Sequence, residues 1–185
     1  MFRDLVAKSP MCAEDFEDNG SASGENEEDI PGGRIQVNLK EIVDMVREAD
    51  EQQLYPTAKN LALTGAVFHE SRCGSTLVAN SLIGMNPTKH RVYSESAPPI
   101  SVLAMCGVNN EMCSLEQAAQ VLRDVIFLMG RSDDAQEERF FFKIQSAGTL
   151  SLEVFRKAFP NTPWIFVYRD PVQVRKIVLA GGGDI

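Results

Sequence analysis

The residues most suggestive of chemistry lie in a glycine-containing loop, residues 69–77, with the sequence HESRCGSTL. The loop follows an apolar run and precedes a helical pattern, so it is expected to join a strand to a helix. Such a loop directs free backbone N–H groups and the positive end of a helix dipole at one point, which suits a phosphate or sulfate. Gly74 allows close backbone approach, and Ser75 and Thr76 supply hydroxyl donors. Arg72 can add charge-assisted hydrogen bonds to the anion.

The loop does not match the phosphate-binding loop of ATP- and GTP-hydrolysing proteins. That pattern, GxxxxGK[ST], would require glycine in place of His69 and lysine in place of Ser75. A standard nucleoside triphosphatase is therefore disfavoured. A purely structural interpretation stays open, because Ser71 or Ser75 could simply cap an ordinary helix.

A second segment, residues 163–174, has the sequence PWIFVYRDPVQV. An apolar run, interpreted as a buried strand, ends at Arg169, and Pro171 stands where a helix would start. An arginine at a strand end can bind an anion, or it can form an ion pair with Asp170.

Together, SRCGSTL and WIFVYRDPVQV, in this order and roughly a hundred residues apart, resemble the two cofactor motifs of the sulfotransferase superfamily. The resemblance covers about residues 62–178. It implies a fold like that of P-loop nucleoside triphosphate hydrolases and the co-substrate 3′-phosphoadenosine 5′-phosphosulfate, with no metal. It also implies that Arg169 binds the 3′-phosphate and that the loop holds the 5′-phosphosulfate through Arg72, Cys73, Gly74, Ser75 and Thr76.

The resemblance also assigns candidate catalytic residues. Lys143 ends an apolar run, as does a lysine in the Lys-x-His segment of many cytosolic sulfotransferases, where the histidine is the general base; Gln145 replaces that histidine here. Glu95 is then the expected base, since other branches use an acidic residue, with a surface carboxylate capping the next helix as its alternative. His69 is a second candidate base or a structural histidine. Arg72 and Lys143 would stabilise charge on the transferring sulfuryl group.

The chain departs from the family pattern after the second motif. Family members usually place a serine eight residues beyond the arginine as a second 3′-phosphate ligand, and this position is Ile177 here. Arg175 or Lys176 is the candidate replacement. Complete sulfotransferase domains also continue further, so the resemblance implies that the chain is the N-terminal part of a full domain, incomplete at its C-terminus.

Apolar runs that alternate with helical stripes indicate which elements position these residues. Four buried strands separated by amphipathic helices predict an α/β fold, a three-layer arrangement with a parallel sheet flanked by helices. Ligands of such sheets bind at the carboxyl ends of the strands. The expected strands are 65–69, 91–94, 140–144 and 164–168, the expected helices are 39–46, 75–84, 115–129 and 150–158, and a loop is expected at Pro98 and Pro99.

Charge is distributed unevenly along the 185 residues, whose formal net charge is -8. Residues 1–33 hold nine acidic side chains against two basic ones and few apolar ones, which predicts a disordered acidic tail before a domain at 34–185. The domain itself is nearly neutral. A general nucleic-acid binder is excluded because phosphate neutralisation needs clustered basic residues.

The four cysteines show no CxxC spacing, and the two histidines stand too far apart for HExxH, so no zinc site is expected. An acidic start without an apolar segment, and the lack of an 18-residue apolar run, predict a soluble cytoplasmic protein with no membrane span.

The expected function is sulfuryl transfer to a hydroxyl or amine of a small-molecule, glycan or peptide acceptor. The alternatives are an inactive truncated relative that binds nucleotides or partners, and a P-loop kinase relative.

Overall fold

The structure, a computed structural model, describes residues 37–105 and 114–174. The chain divides between Leu54 and Tyr55 into two units. The first unit contains helix α1 (Leu39–Glu51), at the predicted position, and the side chain of Asn38 caps it by accepting a hydrogen bond from the Lys40 amide at 2.9 Å. The predicted acidic tail lies outside the described residues.

The second unit alternates strands with helices, in the order that the apolar runs and helical stripes predict. Its elements are β1 (Lys59–Asn60), β2 (Leu63–His69), α2 (Ser75–Met85), β3 (His90–Ser94), α3 (Ala97–Met105), α4 (Leu115–Met129), β4 (Arg131–Ser132), β5 (Arg139–Lys143), a 3-10 helix (Ser146–Ser151), α5 (Leu152–Ala158) and β6 (Trp164–Val167). The two short strands β1 and β4 form a separate antiparallel ribbon that the sequence did not predict.

The other four strands form one parallel sheet in the order β3-β5-β2-β6. The connection from β2 through α2 leads to one side of the sheet, whereas the connection from β5 through α5 leads to the other. Since crossovers between parallel strands are right-handed, these opposite directions put α2 and α5 on opposite faces. The predicted α/β fold, a parallel sheet flanked by helices, is therefore confirmed.

The two central strands, β2 and β5, supply the core of this unit. Phe68, Phe140 and Phe142 are completely or almost completely buried, and Ile144 follows them at the end of β5. The Phe68 ring meets Phe155 of α5 edge to face, with ring centroids 5.1 Å apart. Burial of each such side chain contributes about 1.5–3 kcal/mol to the stability of the fold. The central strands therefore hold the loops at their carboxyl ends in place.

Two local predictions are wrong. Pro98 and Pro99 do not form a loop but lie in the first turn of α3, where a proline costs no helical hydrogen bond. Leu150 does not belong to a buried stripe, because it lies in the 3-10 helix and its exposed fraction is 73%. The helical stripe begins only at Leu152, after the 3-10 helix has turned the chain.

Strand β6 also differs from the prediction of a buried strand. Trp164, Ile165 and Phe166 are 39–51% exposed, and the strand ends at Val167 rather than at residue 168. The reason is the position of β6 at one end of the described sheet, where only β2 pairs with it. An apolar run predicts a strand but does not tell whether the strand is central or lies at an edge.

Candidate functional site

The candidate site lies at the carboxyl edge of the sheet, where β2 and β5 are neighbours. The connections that leave these two strands diverge to opposite faces, and in open α/β sheets such a point forms the ligand-binding crevice. Because all four strands are parallel, the residues that follow β2, β3, β5 and β6 reach this same edge.

The glycine loop after β2 leaves the start of α2 uncapped. Gly74 is the N-cap residue, its φ of 93° lies in the left-handed region, and no side chain caps the helix. The alternative with Ser71 or Ser75 as N-cap is therefore wrong. The first amide groups of a helix have no intrahelical acceptor. An added Cβ at Gly74 would meet nothing within 4 Å, so the backbone there is open to a ligand.

The other loop residues divide into buried and exposed ones. Cys73 and Ser75 are buried, whereas Arg72 and Thr76 are exposed. Arg72 adopts a left-handed φ of 58°, which costs an L-residue about 1–2 kcal/mol. Its guanidinium forms no hydrogen bond or ion pair with another described residue. The loop thus presents a strained, unpaired cation beside the open start of α2.

Lys143 and Glu95 form a partly buried ion pair at the ends of β5 and β3. Lys143 is 1% exposed, and its ammonium donates a hydrogen bond to the Glu95 carboxylate. The Glu95 amide donates to the Lys143 carbonyl at 2.8 Å, which fixes the two residues to each other. The Lys143 hydrogen bond holds the pKa of Glu95 below its usual value, so Glu95 is ionised at neutral pH. Glu95 is turned to Lys143 and does not act as a simple helix cap.

His69, at the end of β2, joins this pair. Its ring is 5% exposed, and its Nε2 lies 3.4 Å from Oε1 of Glu95. Its Nδ1 lies 2.8 Å from the carbonyl oxygen of Glu70. The fold therefore brings together three of the four residues considered for proton transfer and charge stabilisation: His69, Glu95 and Lys143.

Arg169 reaches the same edge from β6. Val167 pairs with His69 in the sheet, and its carbonyl accepts a hydrogen bond from the Glu70 amide at 3.1 Å, so Arg169 follows directly beyond the end of β2. Its half-buried side chain forms no ion pair with another described residue. No ion pair joins Arg169 to Asp170 in the described part of the chain, and the Asp170 carboxylate accepts instead from the Val172 amide at 2.8 Å.

Other sequence assignments are only partly resolved. Gln145 is exposed and begins the 3-10 helix, with its carbonyl accepting from the Gly148 amide. Thr149, which the sequence analysis missed, donates a hydrogen bond to the His69 carbonyl at 3.3 Å. No sequence signal connects two residues that lie 80 positions apart. Ile177, Arg175, Lys176 and three of the four cysteines (Cys12, Cys106 and Cys113) lie outside the described residues.

No protein-family model matches the chain, and the curated proteins contain no match to it. Within residues 37–105 and 114–174, no helix has the length and apolar character needed to cross a membrane. The same residues contain no cluster of three or more His, Cys, Asp or Glu side chains that could hold a metal ion.

Proposed function

We propose that this chain binds 3′-phosphoadenosine 5′-phosphosulfate and transfers its sulfuryl group to an acceptor hydroxyl or amine, on a P-loop-like α/β fold. One observation carries the proposal: the open start of α2 at Gly74, the unpaired cations Arg72 and Arg169, and the Lys143–Glu95 pair all belong to one edge of the sheet. The two arginine motifs are separated in sequence, and the parallel strand order unites them.

The residues at this edge fit a ligand with two anionic ends. The loop amides, Ser75, Thr76 and Arg72 suit the 5′-phosphosulfate, because backbone N–H groups at a helix start and a guanidinium both favour dianions. The Cys73 side chain is buried, and this burial holds the loop backbone in place. Arg169, beyond the neighbouring strand, suits the 3′-phosphate.

The ion pair supplies the chemistry that sulfuryl transfer needs. The transfer develops charge on the leaving and equatorial oxygens, and fixed cations such as Lys143 and Arg72 stabilise that charge without reorganisation. Glu95 is ionised and 40% exposed at its side chain, so it can accept a proton from an incoming hydroxyl or amine. The acceptor is a small molecule, glycan or peptide.

Calorimetric titration of the full chain with adenosine 3′,5′-bisphosphate tests the proposal, with ATP and magnesium as the comparison ligand. We expect the bisphosphate to bind in the micromolar range and ATP–magnesium to bind more weakly. Arg169→Ala should lower the affinity for the bisphosphate about 100-fold, because a charge-assisted pair of hydrogen bonds is lost.

Arg139→Ala is the matched control for this variant. Arg139 is another arginine at a strand end, but it is exposed and begins β5, so it lies at the opposite edge of the sheet. Its removal should leave the affinity unchanged. If a folded chain binds neither ligand, the proposal fails and an interaction module becomes the better interpretation. ATP–magnesium binding that the bisphosphate does not displace would instead favour a kinase relative.

A further inference from the structure

The site contains one buried polar atom whose partner is missing, Nε2 of His69. The atom is fully enclosed, and it has no hydrogen-bond partner in the part of the chain that the structure describes. A buried polar atom without a partner costs about 1–3 kcal/mol, so such atoms generally gain a partner in the working protein. The proposed transfer, in which Glu95 is the base, leaves His69 without a role.

The tautomer of His69 follows from its hydrogen bond to Glu70. The acceptor is a carbonyl oxygen, which cannot donate, so Nδ1 must carry the hydrogen. In the neutral ring, Nε2 therefore holds a lone pair. Thr149 and the pairing of β2 with β6 hold the backbone of His69 in place, and the hydrogen bond from Nδ1 to Glu70 sets the orientation of the ring.

The lone pair of Nε2 faces a second acceptor. Oε1 of Glu95 lies 3.4 Å away, and Lys143 donates to the same oxygen from the other side. Two hydrogen-bond acceptors at this distance repel each other unless one of them carries a proton. An unperturbed imidazole also holds a proton about two pKa units more tightly than an unperturbed glutamate. Lys143 widens that difference by lowering the pKa of Glu95.

We infer that His69 acts through Glu95 as the final holder of the proton released during transfer. This inference rests on the proposed function. As the acceptor oxygen or nitrogen forms its bond to sulfur, the bond between sulfur and the bridging phosphate oxygen breaks, and adenosine 3′,5′-bisphosphate is the leaving group. The acceptor's proton passes to Glu95 and then to Nε2 of His69. Glu95 returns to a carboxylate between two cations, the imidazolium of His69 and the ammonium of Lys143.

The charged groups around His69 lie at the carboxyl ends of the four strands. Glu95 follows β3 and Lys143 ends β5, whereas Glu70 and Arg72 in the loop after β2 and Arg169 after β6 are the other charged residues at this edge. The carboxylate of Glu95 stabilises an imidazolium, whereas the Lys143 ammonium opposes one. Removal of the Glu95 charge would leave the Lys143 ammonium without its counter-charge near the ring, and this arrangement disfavours an imidazolium.

Long-range ¹H–¹⁵N NMR of the full chain tests this link without any activity. The chain has only two histidines, His69 and His90. His90 is a matched control, since its Nδ1 also lies 2.7 Å from a backbone carbonyl, that of Leu82, and no carboxylate of the described residues lies within 4.0 Å of its ring. We expect His69 as the Nδ1–H tautomer. Glu95→Gln, which can still accept from Lys143, should shift the Nε2 resonance of His69, because the carboxylate that faces this atom is removed, and should leave both resonances of His90 unchanged.

The pH profile of a slow reaction separates a proton-transfer role from a structural one. The measured rate is release of adenosine 3′,5′-bisphosphate from the phosphosulfate donor with water as acceptor. In the wild type it should show an acidic limb, because a proton already held by Glu95 or His69 blocks the transfer. His69→Gln should lower the rate at neutral pH about 10- to 100-fold and move this acidic limb to lower pH. His90→Gln should change neither.

Three results would overturn the inference. They are an Nε2–H tautomer of His69 in the wild type, an Nε2 resonance of His69 that Glu95→Gln does not change, and a lower rate in His69→Gln with an unmoved acidic limb. Bisphosphate binding by calorimetry reports on the proposed function separately. If the bisphosphate binds normally but His69 does not respond to Glu95→Gln, sulfuryl transfer remains the proposed function and His69 has no role in proton transfer. A coupled His69 in a chain that binds no bisphosphate overturns both.

Discussion

The two edges of the parallel sheet carry similar residue types but use them differently. At the amino edge, Arg91 donates to the carbonyls of Met129 and Arg131 and pairs through two nitrogens with Glu137. Ser132 donates to the same carboxylate at 2.6 Å. At the carboxyl edge, Arg72 and Arg169 have no partner among the described residues, and α2 starts without a cap.

This difference separates structural charges from charges available to a ligand. The amino-edge network ties β3 to the turn after α4 and leaves its arginine satisfied. The carboxyl edge instead leaves Arg72 and Arg169 unpaired, although Lys143 there is paired with Glu95, and it holds two residues, Arg72 and Glu95, at left-handed φ values. Strained conformations of this kind persist where the surroundings enforce them and cluster at functional sites. Four variants test whether the two edges are as different as their contacts indicate.

Arg91→Ala should have the largest effect, on stability alone. Removal of one partner from this largely buried pair leaves Glu137 and two carbonyls poorly satisfied, which should lower the free energy of unfolding by about 3 kcal/mol. Urea unfolding followed by circular dichroism measures the loss. Glu137→Gln, which keeps acceptor and donor groups, should cost clearly less. If Arg91→Ala lowers the free energy of unfolding by less than about 1 kcal/mol, the network at the amino edge has no structural role.

Arg72→Ala should instead weaken ligand binding and leave stability almost unchanged. We expect the affinity for adenosine 3′,5′-bisphosphate to fall about tenfold, which corresponds to about 1.4 kcal/mol. The free energy of unfolding should change by less than about 0.5 kcal/mol, because the exposed guanidinium has no partner to lose. Calorimetry and urea unfolding of the same preparation give both values. Equal loss of stability and affinity would contradict the distinction between the edges.

Gly74→Ala tests the open start of α2. The left-handed φ of 93° should cost alanine about 1 kcal/mol of stability, since no atom lies near enough to add a clash. The new methyl group should also weaken bisphosphate binding by standing where the ligand approaches. Gly84→Ala in the same helix is the control with opposite sign. Gly84 has open space and ordinary helical φ, so alanine there should stabilise the chain by about 0.5–1 kcal/mol.

The Lys143–Glu95 pair predicts the smallest effect, a change of stability with pH. Because the folded chain lowers the pKa of Glu95 below 4.5, the carboxylate contributes stability above that pH and loses the contribution as pH falls through the lowered value. The stability difference between the wild type and Glu95→Gln should therefore shrink below pH 4.5. Urea unfolding at pH 7 and at acidic pH measures this difference. A difference independent of pH would show that the pair does not shift the titration.

Most elements were predictable from the sequence, because burial imposes a period on each. The buried stripe of α4 and the apolar run of β5 predict a helix and a strand with almost the observed bounds. The exposure of Trp164 and the helical position of Pro98 were not predictable in this way. Edge or central position is a property of strand order, and proline is compatible both with a loop and with a first helical turn.

The sequence by itself determined the chemical types at the site and their attachment to strand ends. Lys143, Glu95 and Arg169 each stand at or just beyond the end of a predicted strand, so parallel pairing was sufficient to predict one common edge. Only the tertiary structure decided the contacts among them. Lys143 is buried and neutralised by Glu95, and Nε2 of His69 faces the same carboxylate. Such contacts depend on strand order, register and side-chain direction between distant parts of the chain, which no local pattern of residues encodes.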